Sequence, residues 1–327
     1  MAPSRVCLLA VLPLALLGLR RLLAERQHWQ PDFVACENER ELCGGLLTPS
    51  RGMGTLLEHG SRRMRSLAAA GRTPLALHIG ADTMGNKARW ADKHLYIEVL
   101  ARSGLPAGAL SLAFVEPLEQ KKEDFWHNVK MLPVDSSRVS LVNGMVDGEC
   151  RERTRSLWGF SPSVGPEFGI NFGILGGWTS ADPNHARLTL ESWVDTIKKF
   201  YCQPGVQNCA GSWRRLRHLP NVSDYIQEFR VPCLTPADLL AKLGVRAEDI
   251  AMLVVDAEGF DVAIIEPLAR DPSFRPGFVM WERVDNVARC EALRNSMRHR
   301  GYEVGPTHVS DVGGVSDAGN IIAVLPA

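Results

Sequence analysis

The sequence predicts an α/β protein built on an open, mostly parallel sheet with helices on both faces, interrupted by one long insertion. Three observations carry this reading. From Pro74 onward, apolar runs of four to six residues, the length of a strand buried on both faces, alternate with segments of helical periodicity. Each run stops at a glycine, an acid or an Asn-Gly pair. Residues 151–230 break the alternation with a stretch rich in Gly, Trp, Phe and Pro.

The chain opens with Arg5, an unbroken apolar run from Val6 to Leu19, and then Arg20 and Arg21. Such a run gives roughly 21 Å of helix, short of the ~30 Å hydrocarbon thickness unless the arginines snorkel. Residues 1–23 therefore read as a signal peptide or signal anchor. With no small-x-small motif between Leu19 and Gln27, the uncleaved anchor is preferred. A mitochondrial presequence and a buried helix are the alternatives. Residues 24–73 are polar and irregular, with turns at Gly44-Gly45 and Pro49-Ser50 and a basic, helix-like patch at Arg62 to Arg65, and read as a stem.

Residues 74–327 form the expected domain. Its strands are Leu75 to Ile79, Leu110 to Val115, Val139 to Val142, Ile250 to Val255 and Phe278 to Trp281. Helices are expected at Lys87 to Arg102, stopping before Gly104, and at Thr235 to Leu243, where Thr235 caps, Pro236 opens and Gly244 ends the element. A third, Asn286 to Arg300, carries Val287, Cys290, Leu293 and Met297 on one stripe. Within the insertion a helix is expected near Leu190 to Phe200, and the aromatic residues suit a lid or substrate wall.

Charge excludes one class of partner. Lys plus Arg and Asp plus Glu number 37 each, so no bulk field draws the chain to nucleic acid, and membrane contact is expected only through the N-terminal segment. Cys36 and Cys43, and Cys202 and Cys209, lie seven apart in loop-like sequence and permit short-loop disulfides. Cys290, on an apolar stripe, is the expected free thiol. The absence of any CxxC pair argues against zinc. Asn221-Val222-Ser223 is an acceptor sequon that matters only in a lumen.

In an open parallel sheet, ligands gather beyond the carboxyl ends of the strands, at the point where strand order reverses. His78, Glu116, Asp256, Glu258 and Glu282 all fall at or just past predicted strand ends. Carboxylates gathered there are costly unless something binds them. Gly80 and Gly85 in the turn after the first strand let backbone approach a ligand, and an acid such as Glu116 ending the second strand commonly holds ribose hydroxyls. Together they point to a nucleoside-containing cofactor.

The segments LALHIGADTMGN, LAFVEPLEQ, VSLVNGMVDGE, CLTPADLLAKLG, IAMLVVDAEGFDVAIIEPL, PGFVMWE, RGYEV and NIIAVL, in this order, resemble the FkbM family of S-adenosylmethionine-dependent methyltransferases. The resemblance spans residues 74–325 apart from the insertion. It implies a Rossmann-like seven-stranded sheet, S-adenosyl-L-methionine as cofactor and methyl transfer to a hydroxyl oxygen. Gly80, Ala81 and Gly85 would line the methionine part, Glu116 would hold the ribose, and Asn143 to Asp147 would flank adenine. Two departures stand out. The family usually has an acid where this chain has His78, and a shorter glycine turn, so either Asp82 replaces that acid or cofactor binding is weakened or lost.

Methyl transfer requires alignment of the acceptor oxygen and removal of one proton. Asp256 is the expected base, with Glu258 second. Glu258 also suits a helix cap. Asp261 and Glu266 read as helix-surface residues. Glu282 and Trp178 are the candidates for binding the acceptor, a glycan or small molecule. His127, His185, His218, His299 and His308 read as surface or loop histidines. Two alternatives share these features: a non-catalytic secretory module of the same fold, and a Golgi glycosyltransferase holding a divalent metal on Asp256 and Glu258.

Overall fold

In the computed structural model, residues 33–34, 53–84, 92–168, 175–191, 215–216, 218, 221–282, 287–306, 308–309 and 320–326 are described. Its centre is a seven-stranded sheet. In chain order the elements are helix α1 (Met53–Ala69), strand β1 (Leu75–Ile79), α2 (Asp92–Ser103), β2 (Ser111–Glu116), α3 (Lys122–Val129) and β3 (Val139–Asn143). After the insertion come α4 (Pro236–Leu243), β7 (Ile250–Val255), α5 (Asp261–Arg270), β8 (Phe278–Glu282), α6 (Val287–His299), β9 (Glu303–Pro306) and β10 (Asn320–Val324).

The strand order is β9-β10-β8-β7-β1-β2-β3. Strands β3, β2, β1, β7 and β8 run parallel, while β10 is antiparallel to both of its neighbours. This is the expected Rossmann-like, mostly parallel α/β sheet. Order reverses between β1 and β7, which lie side by side. All five residues of β1 and all six of β7 are buried, as the continuous apolar runs require of strands covered on both faces.

Side-chain alternation divides the core into two layers. Leu75, Leu77 and Ile79 face Leu239 of α4, Ile264, Ile265 and Leu268 of α5, and Leu293 and Met297 of α6. Ala76 of β1 and Phe114 of β2 face the opposite layer, with Tyr96 and Val99 of α2, Phe125 of α3, and Leu56, Leu57, Met64 and Leu67 of α1. The folded domain thus reaches back to Met53, into the segment read as a stem. The helix-like patch at Arg62 to Arg65 belongs to this packed helix, in which His59 reaches the Leu325 carbonyl and Arg63 donates to the Glu248 carbonyl. Helix α1 approaches the sheet so closely that a Cβ on Gly277 would stand 2.1 Å from the His59 carbonyl oxygen.

Local chemistry fixes the expected helix ends. Thr235 accepts from the Asp238 amide at 3.1 Å, Asp238 reciprocates to the Thr235 amide at 3.2 Å, and Gly244 closes α4 in a left-handed conformation at φ 66°. The first part of the helix expected from Lys87, through Ala91, lies outside the described residues.

The insertion folds on itself. Strand β4 (Met145–Val146), β5 (Thr154–Phe160) and β6 (Ile226–Leu234) form a second sheet, in which β5 and β6 pair antiparallel from Thr154 opposite Pro232 to Phe160 opposite Ile226. Phe160, Val164, Phe168, Leu175, Ala186, Leu190 and Leu216 make a separate core beneath it. A disulfide joins Cys150 to Cys233 at the insertion's base. Cys36, Cys43, Cys202 and Cys209 lie outside the described residues, as does most of the helix expected at Leu190 to Phe200; helix is present over 185–191. Cys290 is a buried thiol, as its position on the apolar stripe predicts.

Candidate functional site

The carboxyl ends of β1, β2, β7 and β8 form one rim, and the side chains along it separate into two groups. At the centre, backbone meets backbone. The Asp256 amide donates to the Ile79 carbonyl at 2.9 Å, and a Cβ on Gly80 would stand 1.7 Å from the Asp256 carbonyl oxygen. Gly80 also adopts φ 84°, so both space and conformation demand glycine. Its amide and that of Ala81 both donate to the Val115 carbonyl at 3.0 Å, binding the turn to β2. Ala81 is buried, and Asp82 and Met84 continue the turn in left-handed conformations at φ 47° and 55°. Gly85 lies outside the described residues.

The first group sits over β1 and β2. Glu116, the last residue of β2, is 3% exposed and accepts from the Leu118 amide at 2.9 Å. The Lys121 ammonium, itself buried, lies 2.7 Å from Asp82 Oδ1 and 3.6 Å from Glu116 Oε1. Burial holds the Glu116 carboxyl above the usual carboxylate range, opposed by Lys121 and by the Leu118 and Asp82 amides. For Lys121, burial acts to lower its pKa, but Asp82 and Glu116 together outweigh it and hold the amine above its ordinary range. Asn143 braces this group by donating to the carbonyls of Glu116 and Pro117 at 3.2 and 3.1 Å.

The second group sits over β7 and β8. Asp256 is exposed there, while Glu258, at φ 46°, receives His185 Nε2 at 3.2 Å. His185 arrives from the insertion. Trp158 of β5 and Ser180 exchange backbone hydrogen bonds at 2.7 and 3.0 Å, and Ser180 Oγ donates to the Glu258 carbonyl at 3.4 Å. The hydrogen bond to Glu258 raises the imidazole pKa; partial burial opposes it, and Asp182 and Glu282 add to the rise. The sequence offered no signal for His185, because its partner is 73 positions away and meets it only through the fold.

Asp261 departs most from expectation. It is fully buried rather than on the helix surface, and its two oxygens accept from the Ala257 amide at 3.2 Å and the Glu282 amide at 2.9 Å. It therefore ties the loop carrying Asp256 and Glu258 to the end of β8, where Glu282 is half-buried. Burial pushes its carboxyl up to about 7, against those two donors. Glu266 does pair at the helix surface, with Arg289 at 2.9 Å.

Three expected site residues are engaged elsewhere. His78 alternates onto the inner face, where its ring lies 5.9 Å from Tyr96 and 6.3 Å from Phe114. Burial pushes it down to about 3, so it is a neutral core residue. Asp147 is buried and paired with Arg155, which stacks on Phe260 at 5.3 Å. Trp178 packs edge-on against Phe160 at 6.2 Å in the insertion core. Among the described residues no group of three or more His, Cys, Asp or Glu side chains is placed to hold a metal ion.

Sheet order and rim define an open α/β protein with several carboxylates gathered at the carboxyl ends of its strands, where strand order reverses. No family model matches the chain, and no curated protein matches it. Among solved structures it is similar to a precorrin-6y C5,15-methyltransferase from Geobacter metallireducens GS-15, with a TM-score of 0.30 and 12% identity over 80% of this chain and 87% of that one. A likeness at that score adds nothing to the fold assignment, which rests on strand order and register.

Proposed function

We propose that the chain is an S-adenosylmethionine-dependent O-methyltransferase of the FkbM kind, acting on a hydroxyl of a sugar or small metabolite in the secretory pathway. The observation that carries this reading is the shared rim: the Gly80 turn, Glu116 and Asp256 stand on adjacent strand ends, with the His185–Glu258 pair beside them. The donor set fits the cofactor's chemistry, since a buried carboxylate at the end of β2 suits a vicinal diol and the glycine turn brings backbone to the rim. Glu116 would hold the ribose, and the turn from Gly80 to Met84 would line the methionine part. When bound, the cofactor supplies an electrophilic methyl group on a sulfonium.

The chain's own residues then align and deprotonate the acceptor. Glu258 holds His185 through Nε2 and stabilises the imidazolium, so that Nδ1 takes the hydroxyl proton. Asp256 and Glu282 flank this pair and suit hydrogen bonds to further hydroxyls of the acceptor. Asp261 fixes the spacing between the two strand ends that carry them. The Cys150–Cys233 disulfide and the exposed sequon residue Asn221 support an oxidising, lumenal setting reached through the N-terminal segment.

Calorimetric titration of the full chain with S-adenosylmethionine tests the reading. Saturable binding in the micromolar range is expected, and no heat at millimolar cofactor would overturn it. The second reading, a non-catalytic module of the same fold, is favoured by one feature, the neutral His78 buried where the family carries an acid.

A further inference from the structure

We propose that Lys121 is an internal occupant of the ribose subsite, so that a vicinal diol reaches Glu116 only when the lysine withdraws. The inference rests on the cofactor reading above. Three donors already converge on Glu116: the Leu118 amide at 2.9 Å, the Asp82 amide, and the Lys121 ammonium at 3.6 Å. Asp82, the residue offered by the sequence as a substitute acid, is held by the same ammonium at 2.7 Å. One buried cation thus spans both carboxylates available to the cofactor at this end of the rim.

Electrostatics sets the order of preference. An ammonium brings a full positive charge to the carboxylate, whereas a hydroxyl brings only a bond dipole. A diol bringing two neutral donors therefore displaces the ammonium only if the lysine finds another place. The local structure offers one. Lys121 ends a short 3-10 turn, Glu119–Lys121, whose other residues are exposed, and its four-carbon stem is flexible. Withdrawal carries the ammonium into water and leaves Glu116 beside Asp82, two carboxylates in one site. The diol's two hydroxyl donors then satisfy carboxylate oxygens that would otherwise be left unpaired. The consequence is a conformational penalty on cofactor affinity: the apparent Kd is the intrinsic Kd divided by the fraction of chains in which Lys121 has left Glu116.

The test compares S-adenosylhomocysteine binding by the full chain and by its Lys121→Gln and Lys121→Met variants in calorimetry. Removal of the ammonium is expected to tighten binding by about tenfold or more, as a site competent in a tenth of molecules would require. If the wild type binds and both variants bind equally or more weakly, Lys121 supports Glu116 rather than blocking it; the inference fails and the cofactor reading stands. If no form binds at millimolar ligand, both fail. Lys121→Gln keeps a polar, uncharged group there should Lys121→Met not fold. Amine acetylation of the wild type, mapped by mass spectrometry, gives an independent readout: saturating S-adenosylhomocysteine is expected to raise labelling of Lys121, and unchanged or lowered labelling overturns the proposal.

Discussion

Asp261 joins two strands with one carboxylate, and its energetics follow from its burial. The ordinary value of 3.8 is raised to about 7 in the folded protein. Between those limits the folded chain keeps a proton that the unfolded chain has released. Stability from this group is therefore full below about pH 3.8, falls as pH rises toward about 7, and is level beyond. Asp261→Asn removes the titration and leaves one of two backbone donors without an acceptor, at a cost of about 1–3 kcal/mol. Denaturant unfolding across this range is expected to show the variant's deficit greatest near pH 4 and shrinking toward pH 7. A deficit that does not change with pH would rule out the raised carboxyl. Nothing in the sequence around Asp261 announced this role, because an acid in the first turn of a helix is ordinary at the surface. Asp256, Glu116 and Glu282 were legible for the opposite reason: each follows a run too apolar to be anything but a buried strand, which puts the next polar residue at the rim.

At the scale of elements, β1, β7 and α4 follow directly from local pattern. Their apolar runs and capping residues leave few alternatives, and the observed bounds of β1 and β7 are those of the runs. The insertion was not legible in this way. Strand β6, Ile226–Leu234, alternates buried and exposed residues only from Phe229 to Cys233 and contains Pro232, so the ladder with β5 completes its identity. The same ladder brings Cys150 to Cys233 across 83 positions, a pairing that close spacing in sequence could never suggest. In the chain-entropy view a loop of that size is worth about 4.5 kcal/mol. Replacing both cysteines with alanine is expected to lower the melting temperature and to speed proteolysis between β5 and β6. An unchanged melting profile would show that the insertion's own core holds it closed.

For the molecule as a whole, α1 places residues 53–69 inside the folded unit. Leu56, Leu57, Met64 and Leu67 are each almost fully buried against β7, β8 and α2. At about 1.5–3 kcal/mol per side chain, their burial contributes roughly 6–12 kcal/mol, comparable with the entire stability of an ordinary domain. A chain starting at residue 74 is expected to lose cooperative unfolding and to precipitate, whereas one starting near residue 50 folds. Equal folding of the two, judged by circular dichroism and thermal melts, would return α1 to the role of a stem.

The sequence by itself determined the sheet, the location of its rim and the carboxylates that reach it, because burial on both faces imposes a local pattern that a reader can see. Tertiary structure alone decided which of those carboxylates acquire partners. His185 on Glu258, Lys121 between Asp82 and Glu116, and Asp261 between the loop after β7 and the end of β8 all join residues from different elements. Electrostatic and hydrogen-bonding energies depend on distance in space and on local burial, and neither quantity is carried by separation along the chain.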